Sequence, residues 1–264
     1  RRVLPKPTGS RRDFMLAAGL GLATAGPADA AQKGVRPSDV GRKFQPDGRV
    51  RPFAGNTIIS HLPQQGAGFA AFDQLLDIYR ELPIRAFARK VTALPTSSYH
   101  MTIFGGANDQ GRDREPWPEG VPIDAPIERC NAILAERLAG VRLGCDLPFR
   151  MVVDDCAPPP HVSPITLHLR PADAGEAAKL KQVRDRIADA LKMRAPDHDR
   201  YRFHITIAYQ IEWFTRAEQA EYEAALLRWR DGLTSAGAVF ELGAPEYCVF
   251  EDMFAFQRRF ALPA

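Results

Sequence analysis

Two stretches decide how this chain reads: Ser98-Tyr99-His100-Met101-Thr102-Ile103-Phe104 and Arg202-Phe203-His204-Ile205-Thr206-Ile207-Ala208. Both run polar, aromatic, His, apolar, Thr, Ile, apolar. With six histidines and ten threonines among 264 residues, chance supplies about a quarter of one His-x-Thr. Here there are two, 104 residues apart, in matching contexts. The β-branched and aromatic content predicts strands, whose side chains alternate between faces. His100 and Thr102 therefore share one face while Tyr99, Met101 and Ile103 share the other. His204 and Thr206 are set apart from Phe203, Ile205 and Ile207 in the same way. Each strand buries an apolar face and presents an imidazole beside a hydroxyl.

Two such strands, related by an approximate two-fold axis, bring both pairs to one cleft and form an acid–base site. One neutral histidine takes a proton from water or a hydroxyl, and the other, protonated, gives one to a leaving oxygen. The threonine hydroxyls donate to phosphoryl oxygens as charge develops. We assign His100, Thr102, His204 and Thr206 as catalytic, with no metal and no cofactor.

The rest of the chain predicts an α+β protein. Strands are expected at 56–62, 85–91, 98–104, 149–155, 162–170 and 201–209, with one or two more between 239 and 260. Helices are expected at 69–82, 127–138, 173–192 and 215–230. The elements do not alternate as in a doubly wound parallel sheet, so mainly antiparallel pairing is expected. Residues 31–55, rich in Gly, Pro and Arg without periodicity, read as a linker or irregular N-terminal arm, and 56–264 as the folded domain. The stretch from Gly105 to Pro126 is longer than an ordinary connection and reads as a binding loop or lid. In it Arg112 and Arg114 are placed to clamp a phosphate and Trp117 to stack on a base.

The net charge of +3 resides in the first thirty residues, which hold five basic and two acidic side chains. The other 234 carry thirty of each, which argues against a protein that grips long duplexes through phosphate contacts. Ser10-Arg11-Arg12-Asp13-Phe14-Met15 resembles a twin-arginine export signal. A weakly apolar run to Ala25 and a small-x-small site at Ala28-Asp29-Ala30 come after it, so residues 1–30 are expected to direct the protein to the periplasm. The 11 apolar residues are too few to span a bilayer, and no membrane attachment is expected once the signal is removed. Cys130, Cys145, Cys156 and Cys248 have no zinc-type spacing, and the sequence does not choose among disulfides or buried thiols.

The remaining histidines have quieter readings. Thr166, His168 and Arg170 share a strand face that borders the cleft, with His168 more simply structural. His61 and His161 read as solvated, and His198 as a brace for the second motif. The basic run Lys179–Lys181–Arg184–Arg186 reads as an exposed helix face.

The paired motifs resemble the 2H (two-histidine) phosphoesterase superfamily. Gly55-Asn56-Thr57, the run from Leu94 to Thr102, Trp117-Pro118 and the run from Pro196 to Thr206 are similar to a bacterial and fungal branch of it. Members of that branch mostly carry a domain-of-unknown-function label, and the branch is related to cyclic phosphodiesterases and RNA ligase-like proteins. The likeness covers the chain from about Gly55 onward. It implies a bilobal fold with two mainly antiparallel sheets lining a cleft, helices outside, and metal-independent phosphodiester chemistry. Substrates implied are a small phosphodiester, a 2′,3′-cyclic nucleotide or short RNA ends, handled by a monomer. Some relatives contact the base through an aromatic residue just past the second motif, where this chain has Tyr209; the first copy has Gly105. The export signal departs from cytoplasmic RNA-processing relatives. A non-catalytic nucleotide- or RNA-binding module with the same cleft is the alternative, and an exported structural protein with accidental motifs a third.

Overall fold

A computed structural model describes residues 35–113, 115–155 and 163–264. Residues 1–34, Arg114, Cys156 and residues 157–162 with His161 lie outside the described residues, so the signal reading of residues 1–30 falls there.

The strands are β1 (Gly55–His61), β2 (Val91–Ala93), β3 (His100–Asn108), β4 (Phe149–Val153), β5 (Pro164–Pro171), β6 (His204–Gln210), β7 (Phe240–Leu242), β8 (Glu246–Phe250) and β9 (Gln257–Ala261). The helices are α1 (Phe69–Glu81), α2 (Ile127–Leu138), α3 (Ala174–Leu191) and α4 (Arg216–Ser235). All strand pairings are antiparallel, in the order β7-β4-β5-β6-β3-β1-β8-β9, with β2 also on β6. The two expected sheets are two halves of this array, joined between β3 and β6 at the pair Met101–Ile205. Among the described residues no helix is long and apolar enough to cross a membrane.

Two of the helices, α3 and α4, begin where side chains satisfy the first free N–H groups. Asp173 accepts from the Glu176 N–H at 2.9 Å to start α3. Thr215 and Glu218 form a reciprocal capping box at α4, an arrangement in which the cap contributes about 1 kcal/mol. On α3, Leu180, Val183, Ile187 and Leu191 are buried, and the helix packs on β3, β4 and β5. Met101, Ile103, Ile205 and Ile207, the apolar sides of the two motif strands, are completely buried.

Three departures from the sequence reading have physical causes. Arg85–Lys90 is not a strand: Arg85 pairs with Glu81, Lys90 with Glu218, and only Val91–Ala93 joins the sheet. Strand β3 continues through Gly105 and Gly106 because Asn56 lies against that backbone. A side chain at Gly106 would have its Cβ 2.0 Å from Asn56 Oδ1, the oxygen that accepts the Ala107 N–H. Residues 35–54 do not form a free linker. Phe44 is wholly buried, its ring 4.9 Å from that of Tyr209, and the arm packs on the body through it.

Candidate active site

The site is built by register. Met101 faces Ile205, so the same antiparallel register sets His100 beside Thr206 and Thr102 beside His204. Beyond these, β1 sets His61 opposite His100, and β5 sets His168 opposite His204 and Thr166 opposite Thr206. Cross-strand partners share a face, so one row reads His61, His100, Thr206, Thr166 and the next Ile59, Thr102, His204, His168. The motif repeat therefore extends to the neighbouring strands. His100 and His204 lie diagonally across the central strand pair, a relation that places side-chain bases about 7–8 Å apart. That spacing leaves room for a tetrahedral phosphate between the imidazoles.

Both motif strands bulge immediately after the threonine. Ile58 faces Phe104 and Ile59 faces Thr102, so Ile103 is extra; Ile165 faces Ala208 and Thr166 faces Thr206, so Ile207 is extra. A bulge bends the strand and reverses the facing of the residues beyond it. The freed carbonyls find separate partners: Arg184 Nη1 donates to Ile103 O, and the Leu94 N–H donates to Ile207 O. Arg184 is 5% exposed, which corrects its reading as part of an exposed face. Its guanidinium lies 4.2 Å from the centre of the Tyr201 ring and also donates to His198 O. His198 is itself buried, with Nε2 2.9 Å from Asp185 Oδ1. Together these side chains fill the wedge where β3 and β6 diverge.

The two imidazoles are held alike. His100 Nδ1 lies 2.6 Å from Ser98 O and His204 Nδ1 3.0 Å from Arg202 O. A carbonyl only accepts, so each Nδ1 carries the proton and, in the neutral ring, each Nε2 keeps its lone pair. Burial disfavours the charged forms. It pushes His100 down to about 4, with smaller contributions from His61 and His204. His204 is also lowered, first by burial and then by Lys43 and Arg202. Burial likewise takes His168 down to about 4, with Arg202 and His204 adding to the effect.

Several residues join the site that sequence reading did not assign to it. The Tyr201 hydroxyl hydrogen-bonds with Thr102, and burial raises it to about 12. Phe256 stands edge-on to His100, with ring centres 4.4 Å apart. His61 is not simply solvated: its Nδ1 lies 2.7 Å from Glu246 Oε2. A sequence signal existed for the outer pair, because Thr166 and His168 repeat the residue types of the motif in reverse on a predicted strand. Tyr201 lies in the run from Pro196 to Thr206 that carries the resemblance, but no role was read for it there, and nothing in the sequence marked Phe256.

Three residues assigned to substrate have other employment. Tyr209 does turn to the histidine face, through the Ile207 bulge, but it is 7% exposed. Phe44 packs on its ring, and Lys43 Nζ lies 4.9 Å from the ring centre and 3.5 Å from its hydroxyl. No face is left for a base, so Tyr209 anchors the arm. Arg112 donates to Asp109 and to the carbonyls of Ile123 and Ala125, and stacks 4.8 Å from Trp117. Trp117 Nε1 donates to Val121 O at 3.0 Å. These contacts knit the long loop to itself, with Arg112 and Trp117 engaged inside it.

Among the described residues, one group has the donors for a metal ion: Asp185, His198 and Asp199, with atoms within 4.8 Å of one another. Lys181 and Arg194 already occupy the Asp185 carboxylate at 2.6 and 2.8 Å, so a cation there competes with two others. The cysteines Cys130, Cys145 and Cys248 are free thiols.

Residues 43–161 match a family model described as 2H-phosphodiest, domain of unknown function (DUF1868). A conserved protein of unknown function from Agrobacterium tumefaciens, ATU0111, superposes with a TM-score of 0.77 at 27% identity, covering 88% of this chain and 95% of its own. More distant matches are LigT of E. coli in complex with phosphate (TM-score 0.38, 13% identity, 81% of this chain and 100% of that one) and TT0787 of Thermus thermophilus (0.34, 18%, 61% and 76%). No curated protein matches. Residues 43–161 are thus similar to the 2H-phosphodiesterase family, and the chain sets two His-x-Thr strands side by side in one antiparallel array.

Proposed function

We propose that this protein is a phosphodiesterase that opens a cyclic phosphate, of the 2′,3′-cyclic nucleotide or RNA-end type, by acid–base chemistry at His100 and His204. The observation that carries the reading is the duplicated imidazole geometry. Two half-buried rings, each locked by its own i−2 carbonyl with Nε2 free, stand diagonally beside two threonine hydroxyls. Duplicated structural histidines need no common tautomer; a reaction with a proton taken at one place and given at another does.

In this mechanism the phosphate lies between the two Nε2 atoms, and its negative charge raises the proton affinity of both rings. One ring is then protonated at mild pH while the other remains neutral. The neutral Nε2 takes a proton from a water molecule as its oxygen bonds to phosphorus. The bond from phosphorus to one ribose oxygen breaks, and that oxygen receives the proton of the other imidazolium. The product is a phosphate monoester, and the site has exchanged the positions of its proton. Thr102 and Thr206 donate to the non-bridging oxygens, where charge accumulates in the transition state. Tyr201 fixes the Thr102 hydroxyl. No step draws on a metal ion. The periplasm is our proposed location for this activity, on the strength of the signal-like sequence of residues 1–30.

The test is replacement of each histidine. His100→Ala and His204→Ala should each lower turnover of a cyclic nucleotide by roughly 10²–10⁴. The double variant should lose much less than the product of the two, since both act in one concerted step. Full activity in either single variant rules the reading out.

A further inference from the structure

The histidine row continues beyond His168 and His204. Carrying their register two residues further sets Arg170 on β5 opposite Arg202, and the Leu169 N–H to Phe203 O bond confirms that the pairing persists there. Like charges directly opposite one another on neighbouring strands destabilise a sheet. Both arginines line a cavity of about 370 Å³ at the end of β5 and β6, together with Lys181 and Arg184 and against only two acids, Asp154 and Asp199. Three of these cations have partners. Arg184 donates to carbonyls, Lys181 pairs with Asp185 at 2.6 Å, and Arg202 reaches Asp154 at 4.0 Å. Arg170 has no ion pair among the described residues and is exposed.

The cavity borders the proposed reaction centre. Tyr201 forms part of its wall, while the Tyr201 hydroxyl bonds with Thr102 and its ring centre lies 6.3 Å from that of His204. Arg202 is two residues from His204 along an extended chain, a distance of about 7 Å.

We infer that this cavity seats a second phosphate of the substrate, one carried on the 5′ oxygen of the nucleotide whose cyclic phosphate is opened. The inference rests on the proposed reaction and adds its substrate class: nucleotides with two phosphates in preference to cyclic mononucleotides with one. Arg170 and Arg202 take the phosphate between them, which relieves their mutual repulsion, and Tyr201 separates it from the reacting group. The second phosphate has two sources, a 5′-monoester or the phosphodiester to a preceding nucleotide.

The experiment uses the full chain and compares kcat/KM for three substrates: adenosine 2′,3′-cyclic phosphate, the same compound with a 5′-phosphate, and the dinucleotide ApA ending in a 2′,3′-cyclic phosphate. A preference of about tenfold or more is expected for one or both two-phosphate substrates, expressed mainly in KM. A preference for the monoester alone identifies a terminal phosphate as the ligand; preference for the dinucleotide identifies a chain phosphate. Arg170→Gln should reduce that ratio toward one, and Arg170→Lys should retain part of it. Equal kcat/KM for all three substrates, or a ratio unchanged in Arg170→Gln, overturns the inference. A calorimetric comparison of adenosine 3′,5′-bisphosphate with adenosine 3′-monophosphate reads the cavity independently of turnover. If no cyclic phosphate is opened but the bisphosphate binds about tenfold tighter through Arg170, the proposed reaction fails and the second-phosphate site stands.

Discussion

Replacing Arg184 by methionine probes how the site is held open. The side chain is 5% exposed and donates to two main-chain carbonyls: Ile103 O, freed by the bulge just past the first motif, and His198 O. Its guanidinium also stacks on the Tyr201 ring at 4.2 Å. Methionine matches the stem but donates nothing, so both carbonyls lose a charged donor. Each such bond contributes about 1.5–3 kcal/mol, so the loss of both comes to several kcal/mol. We expect Arg184→Met to lower unfolding free energy by about 3–5 kcal/mol, which for a domain of this size is roughly a 10 °C drop in Tm. Urea unfolding followed by circular dichroism measures it. Arg186→Met, two residues along the same helix but exposed, serves as the control and should stay within about 0.5 kcal/mol. Turnover in folded Arg184→Met should also fall, because Tyr201 loses the partner that aligns its hydroxyl on Thr102. A loss under about 1 kcal/mol would refute the claim that Arg184 braces the wedge between the motif strands.

Other expectations come from the same geometry. Because His100 and His204 are both lowered by burial, the kcat/KM optimum, which reports the free protein, should lie below pH 6.5. The kcat optimum should lie higher, since bound phosphate raises both groups; an optimum for kcat/KM above pH 7 contradicts this. In the same window the unfolded chain protonates near pH 6.5, while folded His100 and His168 do so only near 4. The unfolded state therefore binds more protons between these values, and stability should fall as pH drops from 6.5 to 4. Denaturant midpoints across that range check the slope, which should be shallower in His168→Phe. Thr102→Val and Thr206→Val should each cost about 2–4 kcal/mol at most in transition-state binding, read from kcat/KM. A reporter carrying residues 1–30 should reach the periplasm, and Arg11→Lys with Arg12→Lys should keep it in the cytoplasm; export indifferent to the pair contradicts the twin-arginine reading.

Much of the fold was legible because its signals are local. The helices α1 to α4 announce themselves by apolar spacing, and the motif strands by alternation. The features that stayed hidden depend on register or on distant contacts. A bulge adds one residue to one strand and leaves no mark on composition, so Ile103 and Ile207 look like ordinary strand residues. The arm around Phe44 has no periodicity, and its burial depends on where Tyr209 turns after the second bulge. His61 pairs with His100 across a separation of 39 residues that only strand order reveals. The sequence showed the chemistry of Arg112 and Trp117 without the loop carbonyls to which both donate.

In the proposed reaction two imidazoles perform the hydrolysis without a metal. The most direct measurement is turnover of a panel of 2′,3′-cyclic mononucleotides by the full chain, before and after exhaustive chelation with EDTA. Hydrolysis to the monophosphate should continue at an unchanged rate after chelation and be lost in His100→Ala and His204→Ala. Abolition by the chelator with restoration by one divalent metal would make the histidines ligands and contradict it.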